Sequence, residues 1–322
     1  MDQLLKIRNL RTIFYSDEGP AAAVDGVDLD LKEGETLGLV GESACGKTVT
    51  ALSIMRLVPP PGKIVAGEIL FEGTDLLKLS ESEMRRVRGN RISMIFQEPM
   101  TSLNPVFKVG EQIAEVYRLH RNMNHSEAAA AAVEMLDKVG IPSPQNRAQD
   151  YPHQMSGGMR QRVMIAMALA CDPKLMLADE PSTALDVTIQ AQILALMNDI
   201  KTRLGTGIVL ITHDLGVVAE MAERVAVMYT GMIAEEAPVE SLFASPQHPY
   251  TIGLLKSIPR IDKAATQKKR LYVISGKVPD LRHLPKGCTF QDRCPERQSI
   301  CVQPPVLENK SSGHLVRCWM RH

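Results

Sequence analysis

Apolar residues along the chain fall into short blocks and longer helical stretches. Blocks at 24–31, 35–40, 68–71 and 92–96, separated by glycine turns, have the length and composition of strands. From about 106 to 170 the spacing turns helical. Within that stretch "SEAAAAAVEMLDKVG" (126–140) offers a serine start, an alanine-rich body and a glycine stop. "SGGMRQRVMIAMALACDP" (156–173) opens on Ser-Gly-Gly and ends before a proline. Uninterrupted apolar runs then return at "KLMLAD" (174–179) and "GIVLIT" (207–212), with an amphipathic helix, "VTIQAQILALMNDIKTRLG" (187–205), between them. Strand and helix alternating in this way predict an α/β fold, a mostly parallel sheet covered by helices on both faces. The helical stretch at 106–170 then reads as an insertion. Past residue 258 proline, lysine and cysteine replace regular periodicity, which predicts a main domain at 1–258 and an appendage at 259–322.

The junction of the strand at 35–40 with the next helix carries the first chemistry. "GESACGKT" (41–48) has the P-loop spacing Gly41-x-x-x-x-Gly46-Lys47-Thr48, followed by the helical "TVTALSIMRLV" (48–58). Backbone N–H groups of Gly41, Glu42, Ser43, Ala44, Cys45 and Gly46 would line a phosphate cradle at a helix start. Lys47 would reach the β/γ-phosphates and Thr48 would put its hydroxyl on Mg²⁺. Cys45 needs only its N–H for this, so its thiol reads as a small spacer; its place at a helix start also predicts a lowered thiol pKa and ready alkylation. "KLMLADE" (174–180) ends a buried strand in two carboxylates, Asp179 for the Mg²⁺ shell and Glu180 to polarise water. Ser156-Gly157-Gly158 makes a second anion-binding helix start. One nucleotide cradled at 41–48 has no use for it, so the second start is expected to complete the site of a neighbouring subunit.

Composition narrows the setting. Of 322 residues 44% are hydrophobic, enough for a large core, and 37 basic residues balance 37 acidic ones, giving no pull toward nucleic acid. The longest apolar run, "VMIAMALAC" (163–171), is about half a membrane span. "MDQLLKIRNLR" lacks the order of a signal peptide. A cytosolic chain that docks on a membrane protein is the expectation.

P-loop, "SGG", "LMLADE", "STALD" (182–186) and "ITHD" (211–214) stand in the order of an ABC-type ATPase, and the chain resembles that family over roughly residues 1–255. The resemblance implies a P-loop core of RecA-like type, an antiparallel β subdomain and an inserted helical subdomain. It also implies roles by position. Phe14, or its neighbour Tyr15, stacks on adenine; Gln97 touches Mg²⁺ and the attacking water; Ala184, Leu185 and Asp186 form the loop across a dimer interface; His213 contacts the γ-phosphate. "FQEPMTSLNP" (96–105) and "HPYT" (248–251) narrow the likeness to ATP-binding subunits of dipeptide and oligopeptide importers, including nickel-uptake relatives. Met159 departs from the glutamine usual after Ser-Gly-Gly, and Ala44-Cys45 from the usual Gly-Ser. The implied partners are two integral-membrane permease subunits, a sister ATPase or second copy, and indirectly an extracytoplasmic solute-binding protein, at the cytoplasmic face of the membrane. The substrate would be a dipeptide or oligopeptide, alternatively nickel or another small solute. A soluble ABC ATPase acting on DNA or ribosomes usually carries two cassettes or long coiled-coil insertions, neither of which is present. A non-catalytic regulator would not need intact Lys47, Asp179, Glu180 and His213.

Four of six cysteines, Cys288, Cys294, Cys301 and Cys318, lie in the last 35 residues with spacing C-x5-C-x6-C-x16-C. A cytosolic setting argues against disulfides, and the close cysteine pairs of structural zinc sites are absent. A [4Fe–4S] cluster, a zinc ion or four reduced thiols remain open from the residues. The resemblance implies the cluster. Lys286, Arg293, Arg297 and Arg317 flank the cysteines and would offset its charge.

Overall fold

A computed structural model describes residues 3–97, 102–182, 186–258, 272–311 and 313–321. In chain order the longer elements are β1 (Gln3–Ser16), β2 (Gly19–Lys32), β3 (Thr36–Val40), α1 (Lys47–Ile54), β4 (Gly62–Phe71), α2 (Glu81–Val87) and β5 (Ile92–Ile95). Then come α3 (Val109–Arg121), α4 (His125–Lys138), α5 (Gly157–Leu169), β6 (Leu175–Asp179), α6 (Val187–Leu204), β7 (Gly207–Ile211) and α7 (Leu215–Met221). The last are β8 (Arg224–Tyr229), β9 (Met232–Pro238), α8 (Val239–Ala244), α9 (Pro249–Lys256), β10 (Glu308–Ser311) and β11 (His314–Val316). The chain divides into two compact units. One comprises Met1–Leu4, Leu31–Glu35 and Phe71–Leu210, the other Leu5–Asp30, Thr36–Leu70 and Ile211–His322.

In the first unit β5 runs parallel to β6, Ile92 opposite Leu175 through Ile95 opposite Ala178, and β7 follows β6 in strand order. Every residue of β6 is buried, as is every residue of β7, which is why both read as unbroken apolar runs. Helix α3 buries Val109, Ile113, Ala114 and Tyr117, a stripe of helical period, and packs on α4 and α5. Helix α4 does not start at the expected serine. Asn124 caps it, accepting from the Glu127 N–H (3.0 Å) while the Glu127 carboxylate accepts from the Asn124 N–H (3.0 Å). That reciprocal pair satisfies two helix-start donors at once and outcompetes Ser126. The expected stop holds, with Gly140 at φ 73°.

The second unit holds β2-β1-β4 side by side and a second row, β10-β11-β9-β8-β3. Here β3 pairs parallel with β8 (Leu37 opposite Arg224, Val40 opposite Val227), and β8 turns into β9 through Thr230 and Gly231, both at positive φ. Two such residues make the turn that matches the twist of paired strands. Strand β11 returns from the far end of the chain onto β9, placing Glu235 opposite Val316. The composition change near residue 258 therefore does not coincide with a boundary between units: 211–322 belong together. The core of this unit joins Val40, Val225, Val227, Tyr229 and Tyr250 to Ile274 and Phe290 from beyond that change. Glu235, fully buried, accepts from the N–H groups of Gln247 (2.7 Å) and His248 (2.8 Å), and its Oε1 lies 2.6 Å from His314 Nε2. Among the described residues no helix is long and apolar enough to cross a membrane.

Candidate nucleotide site

The P-loop belongs to the second unit. It leaves β3 at Val40 and enters α1 at Lys47. Two of its glycines are fixed by close approach. A Cβ on Gly41 would sit 2.2 Å from the Met228 carbonyl oxygen, and one on Gly46, at φ 108°, 2.2 Å from that of Ala23. Ala44 takes left-handed backbone at φ 63°, which costs a residue with a Cβ on the order of 1 kcal/mol. The Lys47 ammonium, only 7% exposed, donates to the carbonyls of Gly41 (2.8 Å) and Glu42 (3.0 Å), so its charge is held at the mouth of the loop. Ser43, Ala44 and Thr48 face solvent.

Cys45 fits the spacer reading and corrects the expectation of a reactive thiol. The residue is 1% exposed, and burial pushes its thiol pKa up, against the opposing charge of Lys47. Desolvation outweighs the helix start, so the thiol is a packed spacer rather than a reactive group. Its carbonyl accepts from the Gly231 N–H at 2.9 Å, tying the loop to the β8–β9 turn. His213, exposed, also belongs to this unit, between β7 and α7, whose first turn is capped by Asp214 through Gly216 N–H (2.8 Å) and Val217 N–H (3.3 Å). The Phe14 ring is half-buried against Gly62, whereas Tyr15 is 46% exposed.

The remaining candidates lie in the first unit. Strand β6 ends at buried Asp179, and the next residue, Glu180, sits half-buried at φ 47°. Gln97 Nε2 donates to Glu180 Oε2 at 3.1 Å, so these two are brought together. Ser156 caps α5, accepting the Met159 N–H at 3.3 Å. A Cβ on exposed Gly157 would meet nothing within 4 Å; one on Gly158 would lie 3.0 Å from Ile189 Cγ2. Buried Gln161 donates to the Pro181 carbonyl (2.5 Å), fastening α5 to the segment just past Glu180. Asp186 caps α6, accepting the Ile189 N–H at 3.0 Å, while Ala184 and Leu185 lie outside the described residues.

Comparison with known proteins identifies this arrangement. The ABC transporter family model matches residues 24–183, and a model of the oligopeptide/dipeptide transporter C-terminal region matches 234–301. A probable peptide ABC transporter ATP-binding protein of Sinorhizobium fredii is 55% identical over 99% of this chain and 95% of its own length. The chain belongs to the ATP-binding subunits of ABC transporters. Bacillus subtilis supplies further relatives of this ABC ATPase. The oligopeptide transport protein AppD is 53% identical over 99% of this chain and 97% of its own, and the dipeptide transport protein DppD 50% over 100% and 96%. Among solved structures, the dimeric cassette MJ0796 bound to ADP and Pi superposes with TM-score 0.67 at 28% identity, covering 73% of this chain and 99% of its own. The P-loop NTPase fold is thus established for the cassette.

The four tail cysteines of the ABC ATPase line one pocket with His248, Phe290, Gln291 and Trp319. Burial raises the thiol pKa of Cys294 and Cys318, and that of Cys288 to about 11. Among the described residues no group of three or more His, Cys, Asp or Glu side chains could hold a metal ion. The flanking cations do not all serve this pocket. Arg297 pairs with Asp292 (2.9 Å), and Arg293 turns to Glu42 of the P-loop. The Tyr250 hydroxyl accepts from the Glu42 N–H (2.8 Å), which corrects the expectation that this N–H meets phosphate; neither contact was read in the sequence. The tyrosine stood inside "HPYT", a motif useful for family likeness but silent about its partner.

Proposed function

We propose that this ABC ATPase powers import of dipeptides or oligopeptides through two membrane permease subunits, from the cytoplasmic face of the membrane. The likeness of nearly the whole chain to peptide-transport ATP-binding proteins, joined to the oligopeptide/dipeptide C-terminal match, supports this reading above nickel uptake. By the family resemblance, the P-loop N–H groups other than that of Glu42 join Lys47 on the β/γ-phosphates, Thr48 and Asp179 hold Mg²⁺, and His213 meets the γ-phosphate. Tyr15 or Phe14 stacks on adenine. Glu180, oriented by Gln97 Nε2, takes the proton of the attacking water. Ser156, Gly157 and Gly158 act on the nucleotide of a second ATPase subunit, and Ala184, Leu185 and Asp186 border that contact. Reconstitution with the two permeases in proteoliposomes tests the substrate. ATP turnover should rise with a peptide-loaded binding protein; stimulation by a nickel-loaded one alone would overturn the peptide assignment.

For the tail we propose that Cys288, Cys294, Cys301 and Cys318 hold a [4Fe–4S] cluster. The observation behind this reading is that all four cysteines line one pocket; a cubane takes one cysteine on each of its four irons. When bound it would supply a covalent staple to the extension.

A further inference from the structure

Glu42 is an awkward residue for an anion site. It places a carboxylate inside the P-loop, in the segment whose N–H groups receive phosphate, where a negative charge opposes binding. Arg293 removes that objection from 251 positions away. Its Nη1 donates to Glu42 Oε2 at 2.6 Å and its Nη2 to Oε1 at 2.9 Å, a two-pronged pair that fixes both distance and orientation. The arginine is itself held. Its side chain is 5% exposed, Nε donates to the Ser275 carbonyl (3.1 Å), and the guanidinium lies 5.8 Å from the ring centroids of Tyr229 and Phe290. A planar guanidinium locked this way has no freedom to follow Glu42 elsewhere, so the carboxylate must come to it.

Two further contacts brace the same loop. Tyr250 accepts from the Glu42 N–H (2.8 Å) while its ring packs 5.5 Å from that of Phe290. Thr230 donates to the Thr289 hydroxyl (2.8 Å), and the next residue, Gly231, donates to the Cys45 carbonyl (2.9 Å). Phe290, Thr289 and Arg293 all come from the cysteine-rich extension. We propose that Arg293 is a positioning residue for ATP binding: it neutralises Glu42 and draws its carboxylate off the phosphate cradle. The extension is thereby a working part of the nucleotide site. This inference rests on the nucleotide reading of the P-loop, and wild-type MgATP binding in the same assay checks that reading separately.

The test measures the Kd for a fluorescent ATP analogue with Mg²⁺, and the unfolding temperature, of the full chain and its variants. Arg293→Gln leaves a lone carboxylate beside an anion site and should weaken binding about tenfold, less so at high salt. Glu42→Gln on that background removes the lone charge and should recover most of the loss, to within about threefold of wild type. Arg293→Lys, which keeps charge without the fork, should fall between. Wild-type affinity in Arg293→Gln overturns the proposal. So does a folded double variant that binds as poorly as Arg293→Gln, since that pattern marks a merely structural arginine. If Arg293→Gln fails to fold, Arg293→Lys and the double variant decide by the same criteria.

Discussion

Gly157→Ala separates the role of the α5 start in another subunit's site from any role in this chain's own fold. Gly157 is the first residue of α5, exposed, and a Cβ there would meet nothing within 4 Å. Alanine loses less backbone entropy on folding than glycine, so the variant should gain about 0.4–1 kcal/mol of stability. For a chain of this size that is a rise of roughly 0.5–1.5 °C in Tm. Gly158 gives no such clean test, because its Cβ would press on Ile189 Cγ2 at 3.0 Å. In the assembled transporter the new methyl should stand where a partner's γ-phosphate must approach the helix. ATP turnover should then fall at least about a hundredfold, or about 2.7 kcal/mol of barrier. The assay pairs a thermal melt of the purified chain with steady-state ATPase of the assembled complex. A variant with raised Tm and turnover within twofold of wild type refutes the reasoning, because nothing would then approach that helix start.

Other outcomes follow from the same contacts. Anaerobically purified protein should be brown and carry about four iron and four sulfide per chain. Cys294→Ser should bleach it; colourless protein with one zinc would refute the cluster. His248 gives a pH prediction. Burial lowers its pKa to about 3 from 6.5, and its Nδ1 accepts the Tyr250 N–H at 3.1 Å, a bond only the neutral ring can make. Because the unfolded chain takes up this proton and the folded chain does not, the contribution is present above pH 6.5 and lost as pH falls toward 3. Denaturation curves should lose about 1.4 kcal/mol per pH unit across that window from this group. In His248→Asn that component should vanish; parallel curves for the two proteins would contradict it.

How much of this was legible in the sequence depended on how local the cause was. The P-loop, the Asp179-Glu180 strand end and the Ser156 cap are set by residues within a few positions of one another, and their spacing exposed them. The buried runs of β6 and β7 were equally plain, because a strand covered on both faces needs no periodicity. Strands β1, β8 and β9 were not read. β1 is interrupted at Asn9 (φ 45°), and β9 carries Glu235 and Glu236, polar in sequence yet buried in the fold. Only His314, Gln247 and His248, far off along the chain, explain why Glu235 can sit there. The reactive reading of Cys45, set beside the spacer reading, failed for the same reason. The helix start that lowers a thiol pKa is local, but the packing that raises it comes from the rest of the unit. The Arg293–Glu42 pair had no signal at either end.

The central claim is that this chain hydrolyses ATP with Glu180 as the base held by Gln97. Measured side by side, wild type and Glu180→Gln should bind MgATP with similar affinity. The variant should turn it over at least about a hundredfold more slowly, the usual worth of a positioned base. Wild-type turnover in Glu180→Gln would contradict the account.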